Sequence, residues 1–230
     1  MTSRGGQGLL ALGAAAALGY LALLPSAPLA VRVSLKPVPV LCLAAWCGPG
    51  RERASARLVC AGLVVSAVGD VLLELPRMFL PGVAVFLTAH LCYTAAFVIE
   101  GRRWRALRAV PFLLWGAAAF ALLAPVLGAL VWPVLVYVLA ICAMMWRAAA
   151  RVGGRGAPRR EEWFALCGAV AFGASDTLLA FSRFLTPWPD APYLVMLLYW
   201  AGQAGIARSA RPEAGIPADL LYHHAGPPAA

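Results

Sequence analysis

Apolar positions along this chain are gathered into eight long runs, separated by short breaks that contain prolines, glycines or clusters of arginine. Each run approaches the roughly 20 apolar residues that an α-helix needs to cross the hydrocarbon core of a bilayer. Prolines and charged clusters of this kind end helices. The pattern therefore predicts eight transmembrane helices: Gly8 to Leu24, Leu29 to Cys47, Ala54 to Leu75, Phe79 to Ile99, Leu107 to Ala124, Ala129 to Trp146, Glu162 to Phe181 and Ala191 to Ala207.

Composition agrees with a membrane protein rather than a soluble one. Of 230 residues, 62% are hydrophobic and 13% are charged, and the mean hydropathy is +0.79, outside the range of soluble globular domains. The formal net charge of +9 would suggest a nucleic-acid partner in a soluble protein. Here the arginines lie between apolar runs, where they set orientation, so we expect a lipid bilayer and no nucleic acid. The expected fold class is an all-α, polytopic membrane helical bundle.

The distribution of basic residues predicts which side each loop faces. With eight crossings, 15 of the 19 lysines and arginines fall on one side, and the positive-inside rule makes that side cytoplasmic. Both termini are then cytoplasmic. The first run also resembles a secretory signal peptide, but the asymmetry arises only if that run is retained as a span. We expect residues 1–211 to form one transmembrane domain and residues 212–230 a disordered cytoplasmic tail.

Two aspartates lie well inside apolar runs, Asp70 in LVVSAVGDVLLEL and Asp176 in AVAFGASDTLLAF. A carboxylate in hydrocarbon costs roughly 3 kcal/mol on insertion scales, so it marks a functional site by default. The two fall on the third and seventh predicted spans, which run in the same direction, and the repeat predicts two parallel four-helix halves. Two neighbouring carboxylates in a low dielectric tend to divide into one protonated and one ionised group. Asp70 and Asp176 are therefore predicted to be a catalytic acid and base.

Further polar side chains are expected to complete a pocket and bind substrate: Lys36, His90, Tyr93, Tyr199 and Gln203. His90 and Tyr93 share one face of the fourth span at a three-residue spacing, and Tyr199 and Gln203 share one face of the eighth at a four-residue spacing. An alternative stays open, because intramembrane polar residues often only bond helices together, and an interfacial lysine is often only an anchor.

The sequence motifs of several other classes of enzyme are absent. The chain has no H-E-x-x-H, G-x-S-x-G, Walker or G-x-G-x-x-G sequence. Its six cysteines form no C-x-x-C pair, so they read as small core residues, and we expect no metal and no cofactor. A serine nucleophile at Ser66 or Ser175 would have no second intramembrane histidine to support it.

One known family carries a similar set of motifs in the same order: Lys36-Pro37-Val38-Pro39, Ser66-Ala67-Val68-Gly69-Asp70, His90-Leu91-Cys92-Tyr93, Ser175-Asp176, and Tyr199 with Gln203. From about Leu35 to Arg208 the chain resembles the lysoplasmalogenase, or YhhN-like, family, and its animal members in particular. The resemblance implies hydrolysis of the vinyl ether bond of lysoplasmalogens, giving a fatty aldehyde and glycerophosphoethanolamine or glycerophosphocholine. It also implies a lysophospholipid substrate and an endoplasmic reticulum or other cellular membrane.

The predicted site suits this chemistry, which begins with protonation of a carbon and needs an activated water. As a hypothesis, Asp176 is the acid and Asp70 the base, with Lys36 and Arg77 as candidate phosphate partners. A proton-coupled transporter using both aspartates is the competing interpretation, and a non-catalytic lipid-binding protein is a third. A homo-oligomer is left open.

Overall fold

The described chain, residues 4–48, 53–153 and 159–211 of a computed structural model, is helical and contains no β-strand. This confirms the all-α fold class. The helices are α1 (Arg4–Leu23), α2 (Leu29–Leu35), α3 (Val38–Trp46), α4 (Ala54–Glu74), α5 (Phe79–Glu100), α6 (Val110–Leu127), α7 (Val131–Arg151), α8 (Arg160–Phe184) and α9 (Ala191–Ala210). The predicted tail, residues 212–230, lies outside the described residues.

Within the described ranges, six helical segments are long and apolar enough to cross a membrane: residues 4–23, 29–46, 54–74, 79–100, 106–151 and 160–184. The 46-residue segment contains both α6 and α7, joined by a short 3₁₀ turn at Gly128–Leu130. Helix α9 is not among the six, since polar residues such as Gln203 and Arg208 lower its hydropathy. The chain is thus a helical integral membrane protein, and eight crossings remain a prediction.

The second predicted span is divided into α2 and α3. Pro37 and Pro39 have no N–H, so two hydrogen bonds of a continuous helix are missing there. Lys36 lies at this break and is buried, with 8% of its surface exposed. The two prolines therefore account for a discontinuity that hydropathy alone does not reveal.

Helix α8 packs directly on α9 through small residues. A methyl group added at Gly168 would lie 2.7 Å from the Ile206 nitrogen, and one added at Gly202 would lie 2.8 Å from the Phe172 nitrogen. Without side chains at these positions the two backbones can touch, as is common between membrane helices.

The two aspartates occupy the same place in their helices. Each lies sixteen residues after the first helical residue, Ala54 for Asp70 and Arg160 for Asp176. Both helices are unbroken α-helices through the aspartate. Equal rise along α4 and α8 fits two carboxylates at a similar depth.

Candidate active site

A cavity of about 280 Å³ lies between α1, α2, α4, α5, α8 and α9. Four of the seven predicted site residues line it, namely Asp70, Asp176, Lys36 and Tyr199. The structure thus brings to one cavity two aspartates that are more than one hundred residues apart in the chain. The other three, His90, Tyr93 and Gln203, are not among its lining residues.

Asp70 is almost completely enclosed, with 1% of its surface exposed. The Tyr199 hydroxyl donates a hydrogen bond of 2.8 Å to its Oδ2 atom. The Tyr199 ring is itself held by edge-to-face contacts with Phe86 and Phe172. A packed aromatic side chain therefore fixes the direction of the Asp70 carboxyl group.

Asp176 has two close neighbours at the same oxygen. The Tyr137 hydroxyl donates a 2.9 Å hydrogen bond to Oδ2, and the Nε2 atom of His90 lies 3.3 Å from Oδ2. Tyr137 lies on α7 in the run WPVLVYVLA and was missed by sequence reasoning. Nothing in that run distinguishes an inward tyrosine from an interfacial one.

The hydrogen-bonding pattern of His90 defines which nitrogen faces the site. Its ring is fully buried, and Nδ1 lies 2.7 Å from the Phe86 carbonyl oxygen. A carbonyl only accepts, so Nδ1 carries a hydrogen. Nε2 then faces Asp176 and has no well-aligned hydrogen bond. In this arrangement one proton can be held on either Nε2 or Oδ2.

A charged cluster forms the rest of the polar wall. The Glu74 carboxylate receives a 2.9 Å hydrogen bond from the Tyr20 hydroxyl and contacts Lys36 Nζ at 2.9 Å and Arg32 Nε at 3.1 Å. Glu74 follows Asp70 by four residues, so the two share one face of α4. That spacing is a signal by which Glu74 could have been included in the predicted site.

Tyr93 and Gln203 lie deeper in the bundle. The Tyr93 hydroxyl donates a 2.7 Å hydrogen bond to Gln203 Oε1, and Ser66 Oγ lies 3.4 Å from the same hydroxyl. Both Tyr93 and Gln203 are fully buried. These side chains connect α4, α5 and α9 behind the cavity.

Two arginines near this end of the bundle, Arg32 and Arg183, line the cavity. The Arg183 guanidinium carbon lies 4.0 Å from the centre of the Phe79 ring. Arg77, a predicted phosphate partner, is exposed and is not among the lining residues.

A second cavity of about 80 Å³ lies beside the first, between α4, α5, α6, α7 and α8. Its lining is almost entirely apolar, and Asp176 borders both cavities. Asp176 therefore borders both this apolar cavity and the larger one, which we call the polar cavity because one wall carries the charged side chains, although apolar side chains line much of the rest.

Apolar helices enclosing one buried and one partly buried carboxyl group define a polytopic membrane protein with an intramembrane acid site. Comparison with known proteins gives its family. The chain belongs to the YhhN family, which it matches over residues 31–210. This confirms the predicted family resemblance.

Curated relatives of this chain are named lysoplasmalogenases. It is 36% identical to human lysoplasmalogenase TMEM86B over 177 residues, covering 76% of this chain and 74% of the relative. It is 35% identical to bovine lysoplasmalogenase TMEM86A over 195 residues, covering 80% of each. A lysoplasmalogenase of Mycobacterium bovis is 34% identical over 151 residues, covering 59% of this chain and 52% of the relative. No solved structure matches the chain.

Proposed function

We propose that this protein is a lysoplasmalogenase that hydrolyses the vinyl ether bond of alkenyl-glycerophosphoethanolamine or alkenyl-glycerophosphocholine. The observation that carries the proposal is the meeting of Asp70 and Asp176 at one intramembrane cavity. The names of the relatives support the reaction, because lysoplasmalogenases occur among both animal and mycobacterial members.

The reaction needs an acid and then a base. Asp176 gives its proton to the β-carbon of the vinyl ether, which leaves an oxocarbenium ion at the α-carbon and the ether oxygen. Asp70 takes a proton from water as the water oxygen bonds to the α-carbon, giving a hemiacetal. Asp70 then gives its proton to the ether oxygen while Asp176 takes the proton of the hemiacetal hydroxyl, so that the C–O bond breaks into a fatty aldehyde and the glycerol hydroxyl and both carboxyl groups return to their starting states. The ionised carboxylates also stabilise the cationic intermediate.

Two features support Asp176 as the acid. His90 presents Nε2 to its carboxyl group, so the pair can hold the proton that the first step consumes. Asp176 also borders the apolar cavity, and the atom to be protonated is a carbon of the apolar chain. Asp70 lines the polar cavity but not the apolar one, and the water would enter through the polar cavity.

The remaining residues take roles that fit their positions. Lys36 and Arg32, on the polar wall, are proposed to face the substrate phosphate. His90 acts through Asp176 and Tyr199 through Asp70. Tyr93 and Gln203 act by holding the helices that carry these groups.

The topology proposed for this enzyme is the one that the arginine pattern predicts. Eight crossings form two parallel four-helix halves in a single domain over residues 1–211, with both termini and the tail of residues 212–230 in the cytoplasm. The polar cavity then opens toward the side opposite the arginine-rich loops. The endoplasmic reticulum membrane, which the family resemblance implies, is the proposed location.

Aldehyde release from a synthetic alkenyl-lysophospholipid by the purified protein in detergent tests this function. We expect release from the alkenyl lipid and none from its alkyl-ether analogue. Asp70→Asn and Asp176→Asn should abolish release while the protein stays folded and monodisperse. Asp190→Asn, at an exposed position, is the matched control and should keep full activity. Release that persists in a folded aspartate variant would exclude the two-carboxylate mechanism.

A transporter is the weaker candidate. Alternating access around a central site often uses discontinuous helices next to the binding residues. The segment of α2 and α3 is interrupted at Lys36, but α4 and α8, which carry the two aspartates, continue unbroken through them. A folded wild-type protein that released no aldehyde would return attention to proton-coupled transport.

A further inference from the structure

The apolar cavity beside Asp176 shares a wall with the carboxylate site. Leu73, Phe79, Phe86 and Leu179 line both cavities together with Asp176. Asp176 is the one ionisable side chain common to both walls within the described part of the chain. The two spaces therefore meet at the group that we place at the start of the reaction.

The far wall of this cavity comes from α6 and α7. Helix α6 contributes Ala119 and Leu123, which are 7% and 2% exposed. Helix α7 contributes Pro133, Val134 and Tyr137. A dry, apolar lining of this kind suits hydrocarbon and offers little to a charged headgroup.

We propose that this apolar cavity binds the alkenyl chain of the substrate next to its vinyl ether bond. The proposal rests on the function proposed above. The bond to be cleaved joins an apolar chain to a polar glycerophosphate, and Asp176 stands where an apolar cavity meets a polar one. Placing the chain in the apolar cavity puts the phosphate on the side of Arg32, Lys36 and Glu74.

The size of the cavity limits what it holds. Its volume is about 80 Å³, which suits the carbons nearest the ether and not a whole fatty chain. The rest of the chain would extend beyond the cavity toward the bilayer. Substitutions that fill the cavity should therefore act on the chain beside the reacting bond.

Photolabelling of the wild-type protein tests the location directly. The probe is a non-hydrolysable alkyl-ether lysophospholipid with a diazirine on a chain carbon close to the ether. We expect label in residues 119–123 of α6 and 133–137 of α7, and loss of label when unlabelled alkenyl-lysophospholipid competes. Label confined to α1 and α2, or equal labelling by a diacyl phospholipid probe, would overturn the proposal.

Two adjacent alanines on α6 allow a matched kinetic test. Ala119 lines the cavity, whereas Ala118 is exposed on the helix surface. We expect Ala119→Phe to lower kcat/KM for a long-chain alkenyl substrate at least about tenfold more than for a two-carbon ethenyl analogue. Ala118→Phe should change neither value. Equal losses on both substrates would exclude a chain site here.

The outcomes separate this inference from the function on which it rests. Wild-type protein that cleaves neither substrate contradicts the proposed function. Wild-type protein that cleaves both, with unchanged selectivity in Ala119→Phe, contradicts only the chain site. If Ala119→Phe does not fold, Leu123→Ala enlarges the same cavity and should favour chains branched near the bond.

Discussion

The Oδ2 atom of Asp176 has both a hydroxyl donor and an imidazole nitrogen at close range. A carboxyl group this little exposed needs such partners, because leaving it unpaired costs a large desolvation free energy. Tyr137 donates to the oxygen, and His90 presents Nε2 to it. At the scale of single residues, two side chains from other helices therefore fix the direction of the Asp176 carboxyl group.

His90 should act as a positioning residue for Asp176. It does not line the cavity, so His90→Gln should leave KM within about twofold while kcat falls about ten- to hundredfold. A kcat within about twofold of the wild-type value in a folded His90→Gln variant would show that His90 does not position Asp176.

Tyr199 should matter through its hydroxyl alone. Tyr199→Phe keeps the aromatic packing and removes the donor to Asp70, which leaves a buried acceptor unpaired at a cost of about 1.5 to 3 kcal/mol. We expect kcat to fall about ten- to hundredfold. Tyr193→Phe on the same helix, outside the cavity lining, is the control and should behave as wild type.

Sequence reasoning found the residues whose chemistry is unusual in hydrocarbon and missed those whose chemistry is not. Asp70 and Asp176 stand out in any apolar run, because a carboxylate there is costly. Tyr137 does not, since tyrosine is common in membrane helices, and its partner lies 39 residues away on another helix. Which face of α7 points inward depends on packing between helices, which no single-helix pattern contains.

At the scale of helices, the apolar runs predicted where helices form but not how they are interrupted. The run from Leu29 to Cys47 is one stretch by hydropathy and two helices by hydrogen bonding, because Pro37 and Pro39 lack donors. The contact between α8 and α9 depends on glycines, which a hydropathy pattern scores as neutral. Their importance becomes visible only when the distance between the two backbones is known.

Gly168→Ala tests that contact. The added methyl group would lie 2.7 Å from the Ile206 nitrogen, so α8 and α9 must separate, at a cost of about 1 to 3 kcal/mol. We expect a lower Tm in detergent and reduced activity, because the two helices carry Asp176 and Tyr199. Gly19→Ala, with nothing within 4 Å of the added methyl, should leave Tm unchanged. Equal Tm values for the two variants would argue against close packing at Gly168.

At the scale of the whole molecule, the number of membrane crossings determines the side of the membrane to which the cavity opens. Six helical segments qualify as spans by length and composition, and one of them, residues 106–151, contains two helices. If α6 and α7 cross separately, the loop between α7 and α8 lies on the same side as the loop before α6. If they form one crossing, it lies on the opposite side. Basic residues, including Arg151 and Arg160, flank the loop between α7 and α8. They favour the first arrangement, because the positive-inside rule places this loop on the same side as the arginine-rich loop before α6.

Inserted protease sites can distinguish these arrangements. We expect a site placed between Gly101 and Arg105 and a site placed between Gly153 and Arg159 both to be cut by a protease confined to the cytoplasm, and a site placed between Thr186 and Asp190 to be protected. Detergent should expose all three sites, which controls for cleavage efficiency. Retained aldehyde release in the uncut insertion variants would show that the fold is intact. Cleavage at only one of the first two sites would exclude separate crossings of α6 and α7. Protection of both, with cleavage after Thr186, would reverse the orientation, and the polar cavity would then open to the cytoplasm instead of the opposite compartment.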